Sequence, residues 1–355
     1  MEKKKVFVGM SGGVDSSVSA ALLKEAGYDV TGVFIRVWKP DFLECTRTDD
    51  EEVARRAAAH IGVPFLVFDF ADDYKREVVD YMVREYKTGR TPNPDVMCNR
   101  QIKFGSFFKK ARAMGADFIA TGHHARVMTN GEVVSMLSGR DGAKDQSYFL
   151  WTLTQDQLQH VLFPIGDYEK SKVREMARER GLPNALRRDS QGLCFVGEFP
   201  MREFLGHFMP PKRGDVLNEA GEVVGHHEGA FYLTIGQRHG FTLTKKTPND
   251  PPHYVVAKDI AQNTVTVSPR KPEMPGKVKE IILEDANMIQ GRPFDGYAEY
   301  MVRYRYRQPL VRASVKGTSV TFTEPQSGVA PGQSLVIYDA KGEECFGGGV
   351  IGEVR

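Results

Sequence analysis

The chain has 355 residues, 41% of them hydrophobic and 26% charged, with a formal net charge of +2. That length predicts two or three domains with full cores, and the composition is ordinary for a globular protein. No apolar run approaches membrane-spanning length, and a net charge this small makes no global case for nucleic acid, so any such case must come from local patches.

Met1-Glu2-Lys3-Lys4-Lys5 leads directly into a strand with no signal-peptide pattern, so a cytoplasmic, membrane-free protein is expected. The strand Val6-Phe7-Val8 runs into Gly9-Met10-Ser11-Gly12-Gly13-Val14-Asp15-Ser16-Ser17. A helix follows from Asp15 to Ala26, with Val14, Val18, Ala21 and Leu22 on one face and Gly27 as its stop. Strands are predicted at Val30–Val37, Phe65–Phe70 and Phe118–Gly122, and helices at Asp49–His60, Tyr74–Lys87 and Gly105–Met114. Near-continuous apolar strands between helices predict a parallel sheet covered on both faces, with ligands at the C-terminal ends of its strands. Both the Ser11–Ser17 loop and Gly122-His123-His124 lie there. From about residue 205 the texture changes. Turn signals at Pro210-Pro211, Gly214-Asp215 and Glu219–Glu222 separate short strands, and Ala230–Gly236 reads as a strand with a glycine stop. From about 276, strands recur between turns such as Lys316-Gly317, Pro331-Gly332 and Lys341-Gly342, which predicts an all-β sandwich or small barrel.

The turn after the first strand is an anion cradle. Its glycines let several N–H groups point into one concavity, its serines add hydroxyls, and the helix start adds positive partial charge. No lysine follows the glycines, so it is not G-x-x-x-x-G-K-[ST], and it is not G-x-G-x-x-G. Asp15 sits where first-turn carboxylates usually stabilise a helix, and it could also help hold Mg²⁺ near a pyrophosphate. Thr91-Pro92-Asn93-Pro94-Asp95-Val96-Met97-Cys98-Asn99 reads as a proline-stiffened extended loop carrying a carboxylate and a thiol. Cys194 lies between Gly192 and Gly197 after Arg187-Arg188, a basic setting that favours thiolate. The other cysteines, Cys45 and Cys345, read as packing or surface thiols, and no C-x-x-C is present. Arg303, Arg305 and Arg307 alternate along an expected strand, with Arg312 and Lys316 beyond and no acid in 300–316; that face suits a phosphate backbone. The adjacent pairs His123-His124 and His226-His227 suit one metal poorly, and no zinc site is expected.

Ser-Gly-Gly-x-Asp-Ser after a strand resembles the PP-loop of ATP pyrophosphatases, which cleave ATP to AMP and pyrophosphate. Together with Asp-x-x-Cys, Gly-x-Cys-x-x-Gly, Lys144–Leu150, Leu233–Arg238 and Arg305–Gln308, the whole chain resembles the tRNA-specific 2-thiouridylases (MnmA family). The resemblance implies an α/β parallel-sheet PP-loop ATPase domain (1–204), a small mixed central domain (205–275) and a C-terminal all-β barrel that contacts tRNA (276–355). It implies ATP, with Mg²⁺, at Gly9, Met10, Ser11, Gly12, Gly13, Val14, Asp15, Ser16, Ile35 and Gly122. Position 35 is often methionine in such proteins, and isoleucine keeps the apolar wall. It implies Cys194 as persulfide carrier, Cys98 as partner thiol and Asp95 as acid/base, with Asn93 and Pro94 lining the base pocket. Contacts to tRNA are implied at His123, Lys144, Asp145, Gln146, Arg305, Tyr306 and Gln333. The implied partners are tRNA, of the Lys, Glu and Gln isoacceptors, and a persulfide sulfur-relay protein, and turnover is expected to leave a Cys98–Cys194 disulfide. The alternatives are another PP-loop adenylating ligase or amidotransferase, which would not need both cysteines, and a non-catalytic tRNA-binding protein with a relic loop.

Overall fold

A computed structural model describes residues 3–40, 50–188, 201–244, 251–270, 278–291 and 295–355; Cys45, and Cys194 with its flanking Gly192 and Gly197, lie outside these residues. β1 (Lys5–Gly9), α1 (Val14–Glu25), β2 (Asp29–Arg36), α2 (Asp50–Ile61) and β3 (Phe65–Asp69) alternate as predicted. A helical run follows, through α3 (Ala71–Tyr74), a π-helical turn at Lys75–Val79 and α4 (Asp80–Lys87). Next, α5 (Pro94–Met97) continues as a π-helical stretch, Cys98–Phe107, and then as α6 (Phe108–Ala113). β4 (Phe118–Ala120), the hairpin β5 (Ala125–Asn130) and β6 (Val133–Ser138), α7 (Gln155–Leu158), β7 (Val161–Leu162) and α8 (Lys170–Glu179) complete this part. The sheet order is β3-β2-β1-β4-β7, parallel throughout. Alternate residues of β1 serve its two faces: Val6 and Val8 pack with Ala54, Ala57 and Ala58 of α2, and Phe7 packs with Phe104 and Phe107.

The expected extended loop at 91–99 is corrected. Asn93 caps a helix there, its side chain accepting the Val96 N–H at 3.3 Å, and Pro94 takes the first helical position. A proline is harmless at that position because its missing N–H would have no intrahelical partner. Two prolines read as loop, and the wide π turns break the 3.6-residue spacing that would have marked the helix before Gly105.

In the middle of the chain, α9 (Met201–Phe208) precedes β8 (Gly214–Leu217), β9 (Val223–His227), β10 (Phe241–Leu243), β11 (Tyr254–Asp259) and β12 (Thr264–Ser268), which form a second sheet in the order β10-β9-β8-β12-β11. The strand expected at Ala230–Gly236 is instead a 3₁₀ turn at Ala230–Tyr232. Ala230 within it and Leu233 just after it are buried and three apart, which fits one tight helical turn and not a two-residue alternation.

The last part is a closed antiparallel barrel. It is built of β13 (Val278–Met288), β14 (Asp295–Arg303), β15 (Val311–Lys316), β16 (Ser319–Gln326), β17 (Ser334–Tyr338) and β18 (Glu344–Val354), and β13 pairs with both β16 and β18. The start of β18 also pairs with β6, Cys345 opposite Met136. Val336, Tyr338 and Cys345 therefore share one core cluster with Phe7, Phe104 and Trp151. Barrel and parallel sheet are fused through this packing.

Candidate functional site

A cavity of about 800 Å³ opens at the C-terminal ends of the parallel strands. Of the residues implied for ATP, Gly9, Met10, Ser11, Gly13, Val14, Asp15, Ser16, Ile35 and Gly122 line it, whereas Gly12 lies behind them. Gly13 is the N-cap of α1 and no side chain caps the helix, so the first-turn N–H groups have no intrahelical acceptor. Gly122 must be glycine: a Cβ there would stand 2.7 Å from the Ser16 nitrogen. β4 thus ends in close contact with the loop.

Two buried side chains from outside the motif shape the cradle. The Asn184 amide donates to the carbonyls of Gly12 (2.9 Å) and Gly13 (3.1 Å) and to the Ser17 hydroxyl (2.9 Å). Carbonyls held on Asn184 are turned away from an anion, which leaves the N–H groups to face it. Lys170 Nζ lies 2.6 and 2.7 Å from the two Asp15 carboxylate oxygens, and His124 Nε2 is 3.8 Å from the same carboxylate. Burial raises the Asp15 pKa, but the neighbouring His124 ring and the Lys170 charge outweigh it, and the net shift is downward. The cation missing from the loop sequence is therefore supplied by α8. Sequence carried one signal for it, since a lysine at the first position of a helix opposes the dipole. Asn184 carried none. Arg187 donates to the Gly12 carbonyl at 3.3 Å and pairs with Asp50, and Arg188 lines the cavity.

Asp95 lines the same cavity, and Asn99 and Lys103, one and two turns further along the helix, line it too. Cys98 does not. It begins the π-helical stretch and is fully buried in the core, shielded from the cavity that Asp95 faces. Cys345 is also buried, and burial pushes its thiol far up, out of the reactive range. Of the residues implied for tRNA, His123, Lys144, Gln146 and Tyr306 line the cavity. The Phe149 and Tyr306 rings, 4.4 Å apart, form an aromatic wall.

One expectation is corrected. Arg303, Arg305 and Arg307 do not share a strand face, because β14 ends at Arg303. Arg303 turns inward to Asp145 at 3.4 Å and over the Tyr338 ring, while Arg305 and Arg307 are exposed in the turn beyond. Asp145 is itself 4% exposed and accepts from the N–H groups of Gly139 and Ser147 and from the Ser147 hydroxyl. Held from within, it anchors the 139–147 loop and does not line the cavity. Gln333 lies outside the cavity, bonded to the chain that leads to Asn93.

His123 is 6% exposed, with Nδ1 2.7 Å from the Thr121 hydroxyl and Nε2 3.4 Å from Lys103 Nζ. An ammonium can only donate, so Nε2 accepts and Nδ1 carries the proton. Burial first, then the charges of Lys103 and His124, hold His123 well below the usual histidine range of 6.5. A depressed folded value means that the unfolded chain binds the extra proton, so stability falls as pH drops below the unfolded value. The expected cost is about 1.4 kcal/mol per pH unit for each such histidine. His227 is shifted the same way, chiefly by burial. Urea unfolding at about pH 7 and pH 5 should show a slope that His123→Gln reduces by about one proton. An unchanged slope would mean that His123 is protonated in the folded protein.

Three family models match the chain: "tRNA methyl transferase HUP domain" over residues 4–198, "tRNA methyl transferase PRC-barrel domain" over 202–269 and "Aminomethyltransferase beta-barrel domain" over 278–351. The chain is 43% identical to a tRNA-specific 2-thiouridylase MnmA of Streptococcus thermophilus, over 98% of this chain and 95% of that protein. It is 44% identical to a tRNA-specific 2-thiouridylase MnmA 2 of Geobacillus kaustophilus, over 99% and 95%. A Bacillus licheniformis protein of the former name is also 44% identical, over 99% and 96%.

Proposed function

The chain belongs to the tRNA-specific 2-thiouridylase family, and on that premise we propose how its residues divide the reaction. The protein is a transferase that uses ATP to replace the C2 oxygen of the tRNA wobble uridine, U34, with sulfur. One observation carries the assignment of residues: the phosphate cradle and Asp95 open into a single cavity. A nucleotide and a base can therefore meet there.

A carbonyl oxygen is a poor leaving group. The uridine O2 attacks the α-phosphorus of ATP, and pyrophosphate departs into the cradle of α1 N–H groups and Lys170. Asp15 is the acid inside the cradle and would hold Mg²⁺ together with phosphate oxygens, an oxygen set that suits this ion. When bound, Mg²⁺ offsets charge on the pyrophosphate. Asp95 manages the uridine proton, and the Phe149–Tyr306 wall receives the flipped base by stacking. Sulfur arrives as a persulfide on Cys194, loaded by a relay protein. Either the terminal sulfur attacks C2 directly, or Cys98 first releases it as sulfide. By both routes AMP leaves with the old oxygen, Cys98 and Cys194 end as a disulfide, and an external reductant returns two electrons. The tRNA set (Lys, Glu and Gln isoacceptors), the donor and the three-part division at 204 and 275 belong to this proposal. Among the described residues no helix is long and apolar enough to cross a membrane.

Mass spectrometry of tRNA incubated with the protein, ATP and a persulfide donor tests the assignment. One oxygen replaced by sulfur at U34, with one AMP per event, is expected; AMP without thiolated tRNA would favour the ligase alternative. The exposed Arg305 turn should hold tRNA through phosphate. Arg305→Ala is expected to weaken tRNA binding and to reduce the log–log salt slope by about one, with ATP affinity unchanged. Unaltered tRNA affinity at low salt would return this turn to plain solvent.

A further inference from the structure

The barrel reaches the reaction site along one seam. Pro92 and Pro94 have no N–H, so the 91–94 segment has few donors with which to fix itself. Its carbonyls are held from the barrel: Gln333 Nε2 donates to Thr91 O at 2.8 Å and to Pro92 O at 3.2 Å. The Thr91 N–H donates to Pro331 O at 2.9 Å. Gly332, between these two contacts, has φ +90°, and a Cβ there would stand 2.9 Å from Thr91 N and 3.0 Å from Thr91 O. Only glycine permits so close an approach in that conformation. The turn is itself fixed to β18, since Gly332 N–H donates to Ile351 O and Ile351 N–H to Gln333 O. Arg90 adds contacts to Glu284 (2.7 Å) and Ile351 O (3.3 Å). Asn93, the next residue after Pro92, caps the helix that carries Asp95 and Cys98.

We propose that Gln333, on its Gly332 turn, is a positioning residue that sets the first turn of this helix and so the placement of Asp95 and Cys98. This rests on the reading above in which those two side chains serve the reaction. The rival role for Gln333 is a tRNA contact alone, and the two roles move different quantities.

Three variants of the full chain test it: Gln333→Glu, Gln333→Ala and Gly332→Ala. Gln333→Glu keeps the shape but sets a carboxylate against two carbonyl oxygens. Gly332→Ala removes no side chain that could touch RNA. For Gln333→Glu and Gly332→Ala the expected result is a kcat for thiolation at least about tenfold lower, with KM for tRNA within about threefold; Gln333→Ala should be milder. The second measurement needs neither tRNA nor ATP: iodoacetamide labelling at Cys98, resolved by peptide mass spectrometry. Both severe variants should label Cys98 at least about fivefold faster than the parent, because the turn that buries it is loosened. A Cys98 labelling rate within about twofold of the parent overturns the proposal whatever the kinetics. So does a raised KM at unchanged kcat, which would make Gln333 a tRNA contact only. If Gly332→Ala does not fold, Gln333→Glu carries the test alone. If the parent makes no 2-thiouridine, the functional reading fails, while the Cys98 labelling still decides the positioning.

Discussion

Asp15→Ala is expected to lower AMP release and 2-thiouridine formation by at least about a hundredfold, while tRNA affinity stays within about twofold. The side chain stands inside the cradle at the first turn of α1, opposite Lys170 at 2.6 Å. Removing it takes away the acid that would hold Mg²⁺ and leaves the Lys170 ammonium buried without this counter-charge. Both effects fall on the pyrophosphate end of ATP, and neither touches the exposed Arg305 turn where RNA is expected. The pH dependence has a definite sign. The Asp15 pKa is depressed below 3.8, so the carboxylate is ionised throughout the neutral range. The stability its pairing contributes is complete above the unfolded value and is lost only as pH falls through the lower folded one. Mild acid should therefore not imitate the variant. Lys170→Met is expected to be similarly inactive, and the double variant little worse than either single one, because the two groups act as a unit. Near-normal AMP production by Asp15→Ala, read by chromatography of labelled ATP, would remove the cradle from the reaction.

The chemistry that local sequence can express was legible, and the chemistry made by tertiary contact was not. Strand, glycine turn and helix are contiguous, so the anion cradle was visible in residues 6–26, and the turn glycines at 317, 332 and 342 all adopt the positive φ that a turn requires. Lys170 and Asn184 reach the same cradle from far along the chain, and nothing in their own segments says where they point. The alternation of Arg303, Arg305 and Arg307 has the right period for a strand face. The strand stops at Arg303, and a positive φ at Arg307 turns the chain, so the pattern held no common face. Asp145 shows the same limit: the resemblance named the residue, but only the contacts with Ser147 and Arg303 show that it faces inward. The hairpin β5–β6 did carry a local signal, since Gly131, at positive φ, turns the chain between Asn130 and Val133; only its attachment to the barrel, through β18, the last strand of the chain, lay beyond local sequence.

Cys98→Ser and Cys194→Ser should each lose 2-thiouridine by at least about a thousandfold under multiple turnover, since removing the nucleophile of a covalent step leaves only binding and electrostatic terms. A serine cannot carry a sulfane sulfur, nor can it open an S–S bond by exchange. The burial of Cys98 adds a condition. Its thiol lies in the core, whereas Asp95, three residues earlier, faces the cavity. Sulfur transfer needs the thiolate in the cavity, and disulfide formation needs the two Cα atoms within about 7 Å. The proposed two-thiol mechanism therefore predicts that the first turn of that helix shifts when RNA and ATP bind. Alkylation of Cys98 should be slow in the free protein and faster with tRNA and ATP present. The single variants also separate the two sulfur routes. With Cys98→Ser, direct attack by the persulfide stalls as a tRNA–S–S–Cys194 adduct, which runs as a reductant-sensitive band on denaturing gels. Prior release of sulfide gives no adduct. Cys345→Ser tests the other buried thiol, which burial keeps protonated and which no part of the cavity reaches. It should keep its kcat and lose only stability, about 1–3 kcal/mol for a hydroxyl buried among apolar neighbours. Cys45→Ser should keep full activity. Appreciable multiple-turnover thiolation by Cys98→Ser or Cys194→Ser would end the two-thiol mechanism.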